Sequence, residues 1–99
     1  MDSFSWVIER CLGGMARPGR HAPLDEDLRA LGRAGVTAIV SLLEEPDLLE
    51  AYRAAGFRAL EIPMRNFGAP SLAQIEAFCA FVDDEASRGG AVAVHCQYG

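Results

Sequence analysis

The sequence predicts an α/β domain with a largely parallel, buried sheet flanked by helices, and three observations carry that expectation. First, short runs rich in β-branched and aliphatic residues recur over positions 36–43, 57–62 and 91–94, lengths that suit strands better than helices. Second, the segments between them space their apolar residues for a helix, and strands that alternate with helices indicate parallel βαβ units. Third, 99 residues with 51% hydrophobic and 23% charged composition suit one globular domain. A domain of that size buries a modest core and is only marginally stable alone.

The elements follow in order. Residues 4–12 are mostly apolar and run into Gly13 and Gly14, which predicts one or two short strands. Residues 17–21 are basic and contain Pro18 and Gly19, hence a loop. Leu24, Leu28 and Leu31 stand at helical spacing and predict a helix that stops between Gly32 and Gly35. A buried strand follows over 36–43. Pro46 suits the first turn of a second helix, which runs through Ala55 and is closed by Gly56. The next strand, 57–62, is ended by Pro63, and a loop covers 66–70. Ser71 and Gln74 have the spacing of a capping box. The helix they open is expected to bury Leu72, Ile75, Phe78, Cys79 and Val82 and to end at Gly89 and Gly90. Residues 91–94 form the final strand. No repeat, linker or low-complexity segment interrupts this order.

Charge and motif content exclude several function classes. The net charge is −5 and the pI about 4.9, so no basic stripe is available for nucleic acid. A local anion site remains compatible with an acidic protein, because one loop can bind phosphate. The N-terminus lacks the pattern of a secretory signal, and no apolar stretch approaches the roughly 18 residues of a membrane span. Cys11, Cys79 and Cys96 form no metal-type pair, and an odd count without export signals favours reduced thiols in the cytoplasm.

The segment 92–99, Val-Ala-Val-His-Cys-Gln-Tyr-Gly, carries the chemistry. An apolar strand delivers Cys96 to the carboxyl edge of a parallel sheet, where α/β folds bind ligands. A loop leaving that edge can aim backbone N–H groups at an anion, and a cysteine in such a field ionises readily and becomes a nucleophile. His95 is expected to act through hydrogen bonds rather than as a base. Cys79, on the apolar helical face, and Cys11 are expected to be packing residues. Arg17, Arg20 and His21 are read as a solvated loop, with recognition of the substrate's phosphate surroundings as the alternative. Glu44, Glu45 and Asp47 are read as a solvated helix start. For Arg65, a surface role and a place beside an anion are both open.

Val-His-Cys-Gln-Tyr-Gly resembles the start of the His-Cys-(five residues)-Arg signature of cysteine-dependent protein phosphatases, and of small dual-specificity phosphatases in particular. Residues 4–8 and 12–14 resemble that family's opening hairpin, 35–45 the strand before its first long loop, and 62–71 its general-acid loop, all in family order. The resemblance implies a phosphotyrosine protein phosphatase-like fold, of which the chain would be the N-terminal part, lacking the C-terminal helices. It implies phosphomonoester hydrolysis without a metal or cofactor. Cys96 would be the nucleophile, His95 would support its thiolate, and Gln97, Tyr98 and Gly99 would bind the phosphate. Phosphorylated protein or a small phosphomonoester is the expected substrate, and neither nucleic acid nor membrane is an expected partner.

Two departures qualify this picture. No arginine follows Cys96, so the phosphoryl clamp implied by the family is missing from these residues. The general-acid aspartate is expected where Asn66 stands, and an asparagine cannot donate and recover a proton. Glu61, on the strand before Pro63, is a poor substitute. The 99 residues alone are therefore expected to be nearly inactive, and one bare sheet face is expected to require a complementing C-terminal segment or self-association. A non-enzymatic pseudophosphatase or interaction module is the rival reading, and a rhodanese-type sulfurtransferase, which also cradles an anion beside a cysteine, is a minor one.

Overall fold

The computed structural model describes residues 3–42, 46–63 and 70–96, with the backbone alone at positions 46, 47 and 96. Among these residues the elements run β1 (Ser5–Ile8), β2 (Leu12–Ala16), α1 (Leu24–Ala34), β3 (Ala38–Ser41), α2 (Pro46–Ala54), β4 (Arg58–Glu61), α3 (Leu72–Ser87) and β5 (Val92–Cys96). The strands form one sheet in the order β1-β2-β5-β3-β4. Only the β1–β2 pair is antiparallel; β2–β5, β5–β3 and β3–β4 are parallel. The mixed α/β class with a mostly parallel sheet is the one expected.

Local signals account for most element boundaries. Gly35 adopts a left-handed φ of 100° after α1, and its N–H and that of the next residue close on the last carbonyls of the helix. At α3 both reciprocal bonds of the capping box form: the Ser71 side chain accepts the Gln74 N–H at 3.1 Å, and the Gln74 side chain accepts the Ser71 N–H at 2.9 Å. Such a cap is worth about 1 kcal/mol.

Other boundaries differ from expectation. Gly13 and Gly14 lie inside β2 instead of ending the first apolar run. A Cβ at Gly13 would run into the Phe4 ring, so this glycine marks a close approach across the hairpin rather than a break. The strand expected over 36–43 is shorter, Ala38–Ser41, and the last strand reaches further, to Cys96. In both cases pairing with a neighbour, not local composition, sets the ends: Ala38 faces Val92 and Ser41 faces His95.

Alternation along the strands divides the core between two faces. Ile39 and Ala93 join Met15, Leu28, Leu31, Tyr52 and Phe57 on the side of α1 and α2. Ala38, Val40 and Val92 join Ile62 and Val82 on the side of α3, with Phe78 and Phe81 packed against them. This division follows from the strand order. The chain steps from β2 to β3 to β4 in one direction and then returns to β5 at the centre, and crossovers of one hand place the returning helix on the opposite face.

The apolar face expected for α3 is only partly buried. Val82 is buried and Phe78 half-buried, but Leu72, Ile75 and Cys79 are exposed, Leu72 by 71%. The C-terminal half of α3 lies on the sheet, while beside its first turns Ile75, Phe78, Pro70, Leu42, Ile62 and Val94 bound an open apolar cavity of about 190 Å³. Near the other end of α3, Glu85 is buried. Its carboxylate accepts the Thr37 hydroxyl at 2.6 Å and the Arg58 guanidinium. Arg58 also bonds Asp84 at 2.9 Å, which holds the Asp84 carboxyl below the usual aspartate range. This polar cluster ties α3 to the amino edge of the sheet, opposite Cys96.

No helix among the described residues is long and apolar enough to cross a membrane.

Candidate active site

The carboxyl edge of the sheet is assembled by register. Ala16 ends β2, Ser41 ends β3, Glu61 ends β4 and Cys96 ends β5. Ala16 pairs with Cys96, Ser41 with His95, and Ser41 with Glu61. Cys96 is thus the last residue of the central strand rather than the first beyond it. It leaves the sheet between two parallel neighbours, and the Leu42 N–H donates to the His95 carbonyl at 3.0 Å to hold that exit on the β3 side.

The position matters because of the connections. β2 and β3 are linked through α1 on one face, whereas β5 is reached from the opposite face through α3. A strand order that reverses at β5 opens a crevice beyond the carboxyl ends there, which is where α/β sheets bind ligands. A cavity of about 310 Å³ lies beside this edge, bounded by Ser3, Gly14, Leu42, Val94 and His95 among others.

His95 is 2% exposed and turns into the core on the α1–α2 side. Its Nε2 lies 2.7 Å from the Tyr52 hydroxyl, and the two rings meet edge to face at 87° with centroids 5.7 Å apart. Tyr52 is fully buried on α2. A buried phenol needs a hydrogen-bond partner, and the imidazole supplies it whichever ring nitrogen carries the proton. The residue before Cys96 is therefore anchored through its side chain to α2 and through its carbonyl to Leu42. Sequence reasoning anticipated a hydrogen-bonding His95 but missed Tyr52. The available signal was a lone tyrosine on the apolar side of α2, four residues after Leu48.

Of the other sequence-predicted residues, Asn66, Gln97, Tyr98, Gly99, Arg65, Glu44 and Glu45 lie outside the described residues, as does the side chain of Asp47. Glu61 is half-buried at the end of the edge strand β4, separated from β5 by β3. Arg17 directly follows Ala16, the register partner of Cys96, so the basic loop begins beside the candidate nucleophile. Cys11 is half-buried against the α3-side core, and Cys79 is exposed rather than packed. Both are free thiols. Among the described residues no group of three or more His, Cys, Asp or Glu is gathered as metal ligands would be.

A family model described as "Polymorphic toxin system, DSP-PTPase phosphatase" (Tc-R-P) matches residues 13–99. Among solved structures the chain is similar to a mutant form of Tk-PTP, with a TM-score of 0.81 and 26% identity over 99% of this chain and 63% of that one. It shares its fold with kinase associated phosphatase (TM-score 0.75, 19% identity, 89% of this chain and 57% of that one). It also shares it with PTPMT1 in complex with PI(5)P (TM-score 0.75, 21% identity, 92% and 60%). The chain thus spans about three-fifths of the length of the solved structures it matches.

Proposed function

The chain belongs to the Tc-R-P family of polymorphic toxin system DSP-PTPase phosphatases, and from that premise we propose that it carries the nucleophile of a phosphatase that hydrolyses phosphomonoesters through Cys96. The observation that carries this reading is the place of Cys96 as the last residue of the central strand, at the carboxyl edge where the strand order reverses.

The proposed reaction has two steps. The Cys96 sulfur forms a bond to phosphorus as the phosphorus–oxygen bond to the leaving group breaks, and the leaving oxygen takes a proton from a general acid. Water then attacks phosphorus, the sulfur–phosphorus bond breaks, and the thiolate returns as phosphate leaves. His95 acts here as a positioning residue: locked to Tyr52 and Leu42, it holds the strand that presents the thiolate. Gln97, Tyr98 and Gly99 are proposed to offer their N–H groups to the phosphoryl oxygens. The substrate class is a phosphorylated protein or a small phosphomonoester, a headgroup phosphate such as that of a phosphoinositide included, and the cytoplasm is the proposed site of action. Residues 1–99 are proposed as the N-terminal part of one dual-specificity phosphatase-like domain, with a C-terminal segment or a second copy covering the apolar surface along α3.

The last arginine of the sequence is Arg88, so the 99 residues supply no phosphoryl clamp after Cys96. Loss of one such oxyanion donor costs about 10²–10³ in kcat in other enzymes. Hydrolysis of a nitrophenyl phosphate tests the reading. The 99 residues alone are expected to give near-background rates. The same residues extended with a loop arginine and helices grafted from a Tk-PTP-like domain are expected to turn over, and Cys96→Ser should abolish that turnover. Activity that survives Cys96→Ser places the nucleophile elsewhere.

Asn66 favours a second reading, a non-enzymatic pseudophosphatase, because it stands where the resemblance implies the general acid. Asn66→Asp in the extended protein is expected to raise kcat by about 10²–10⁴ if the acid alone is missing. An unchanged kcat assigns the proton to another residue.

A further inference from the structure

The two edges of the sheet are not alike. β1 forms one edge and β4 the other, and among the described residues neither has a second strand beside it. The β1 edge is broken: its register with β2 shifts between Trp6 and Ile8, and Arg10 follows with a left-handed φ of 58°. A bulge of that kind twists an edge strand and guards it against pairing with another chain. β4 has no such guard. Arg58, Ala59, Leu60 and Glu61 face Ala38, Ile39, Val40 and Ser41 one for one, without a shift.

Alternation decides which groups β4 turns outward. The Arg58 N–H donates to the Thr37 carbonyl at 3.2 Å, and the Ile62 N–H to the Ser41 carbonyl at 2.8 Å. The backbone groups of residues 58, 60 and 62 therefore face β3, and those of Ala59 and Glu61 face away from the sheet. The Arg53 guanidinium fits this direction, since it reaches from α2 to donate to the Ala59 carbonyl at 3.3 Å. The side chains alternate too. Ala59 packs toward the core on the α1–α2 side and Leu60 toward the core on the α3 side, so Glu61 stands on the α1–α2 side. All of β4 is half-buried.

An edge of this form is complementary to itself. A two-fold axis at Leu60 sets a second β4 antiparallel to the first, with Ala59 of each copy opposite Glu61 of the other. Both residues present outward N–H and C=O groups, so each such pair exchanges both backbone bonds. Leu60 meets its own copy on the α3 side, in the position where cross-strand side chains come closest. On the α1–α2 side, Glu61 of one copy lands opposite Ala59 of the other, at whose carbonyl Arg53 is already seated. A carboxylate thus meets a guanidinium on each side of the axis. Glu50 is a weak rival for Arg53, because that contact is 3.7 Å long and largely open to solvent. Neighbouring registers are poorer. Centring on Glu61 sets like carboxylates opposite each other. Centring on Ala59 calls on the Phe57 N–H, which the Tyr52 carbonyl already accepts at 3.0 Å.

We propose that the β4 edge is an interface between two copies of this chain, at which the sheet continues by antiparallel pairing about Leu60, with Arg53 of each copy facing Glu61 of the other. The paired strands run in opposite directions, so the Cys96 edges of the two copies face opposite ways, and the proposal stands apart from the phosphatase reading. The paired strip is short, and small interfaces associate weakly.

Sedimentation equilibrium of the 99-residue chain from about 10 µM to about 1 mM spans the affinities of weak complexes. Leu72 and Ile75 are replaced by glutamine in every sample, so that association through α3 does not contribute. A reversible monomer–dimer equilibrium is expected. Hydrogen exchange read on the ¹⁵N-labelled chain should show protection of the Ala59 and Glu61 amides rising with concentration, while Arg58 and Leu60, already bonded to β3, change little. Ala59→Pro removes an outward N–H without touching the ladder to β3 and should abolish the dimer. Glu61→Arg should weaken it by about tenfold, because two ion pairs give way to two like-charge contacts. Arg53→Glu combined with Glu61→Arg should restore it. A chain that stays monomeric throughout overturns the proposal, as does a dimer indifferent to both Ala59→Pro and Glu61→Arg. Protection that rises at Val7 and Ile8 instead of Ala59 and Glu61 puts the interface on the other edge and overturns it as well. If Ala59→Pro does not fold, the charge exchange decides: a double substitution that fails to recover the dimer overturns the pairing.

Discussion

At the scale of the residue, the contact between His95 and Tyr52 connects the core to the candidate nucleophile. Both side chains are buried, and each brings a polar atom that would be costly to leave without a partner. Tyr52→Phe keeps the ring and its packing but removes the hydroxyl from His95 Nε2. Such a buried loss is expected to destabilise the fold by about 1–3 kcal/mol, read from urea denaturation. In the extended protein it should also lower kcat more than it raises KM, because it loosens the strand that presents Cys96. A Tyr52→Phe protein with unchanged stability and rate would make the contact incidental.

At the scale of the element, the opening hairpin contains the one strained backbone position outside glycine among the described residues. Arg10 adopts φ of 58° in the turn closed by the Cys11 N–H to the Ile8 carbonyl at 2.9 Å. A residue with a Cβ pays roughly 1–2 kcal/mol for that conformation, and glycine avoids it at the cost of a more flexible unfolded chain. Arg10→Gly is therefore expected to stabilise the protein by about 0.5–1 kcal/mol, visible as a rise in the urea midpoint with an unchanged slope. The helices illustrate which element features can be read from sequence. Gly35 and Gly56 stop α1 and α2, and Ser71 with Gln74 caps α3, because these are interactions within a few residues of one another. Strand ends shifted from expectation because a strand stops where its partner stops.

At the scale of the whole molecule, the two sheet faces are unequally covered. Two helices pack on the side of Ile39 and Ala93, and among the described residues α3 alone covers the side of Val40 and Val92. The N-terminal half of α3 leaves Leu72 and Ile75 exposed beside an apolar cavity. Exposed apolar surface of this kind promotes association. Replacing both residues by glutamine is expected to reduce aggregate in sedimentation or light scattering while changing stability by less than about 0.5 kcal/mol, as for surface positions. A large loss of stability would mean that the two side chains are already packed within the monomer.

The sequence by itself determined the α/β class, the order of the elements and the strand that leads to Cys96, since strand length, helical spacing and caps are local properties of the chain; that the strand extends through Cys96 was decided by its pairing with β2. It also pointed to His95 as a hydrogen-bonding residue and to the phosphatase family. Only the tertiary structure decided which apolar residues are covered. Leu72, Ile75 and Cys79 follow the helical pattern of a buried face yet stand exposed, because burial depends on what another element places opposite them. It also decided the partners of the buried polar groups. Tyr52 meets His95 across 43 positions and Thr37 meets Glu85 across 48, distances over which no local pattern reaches. The same long-range register brings the turn over residues 17–20 beside the end of β5, and so joins a basic loop, read locally as solvated, to the edge that presents Cys96.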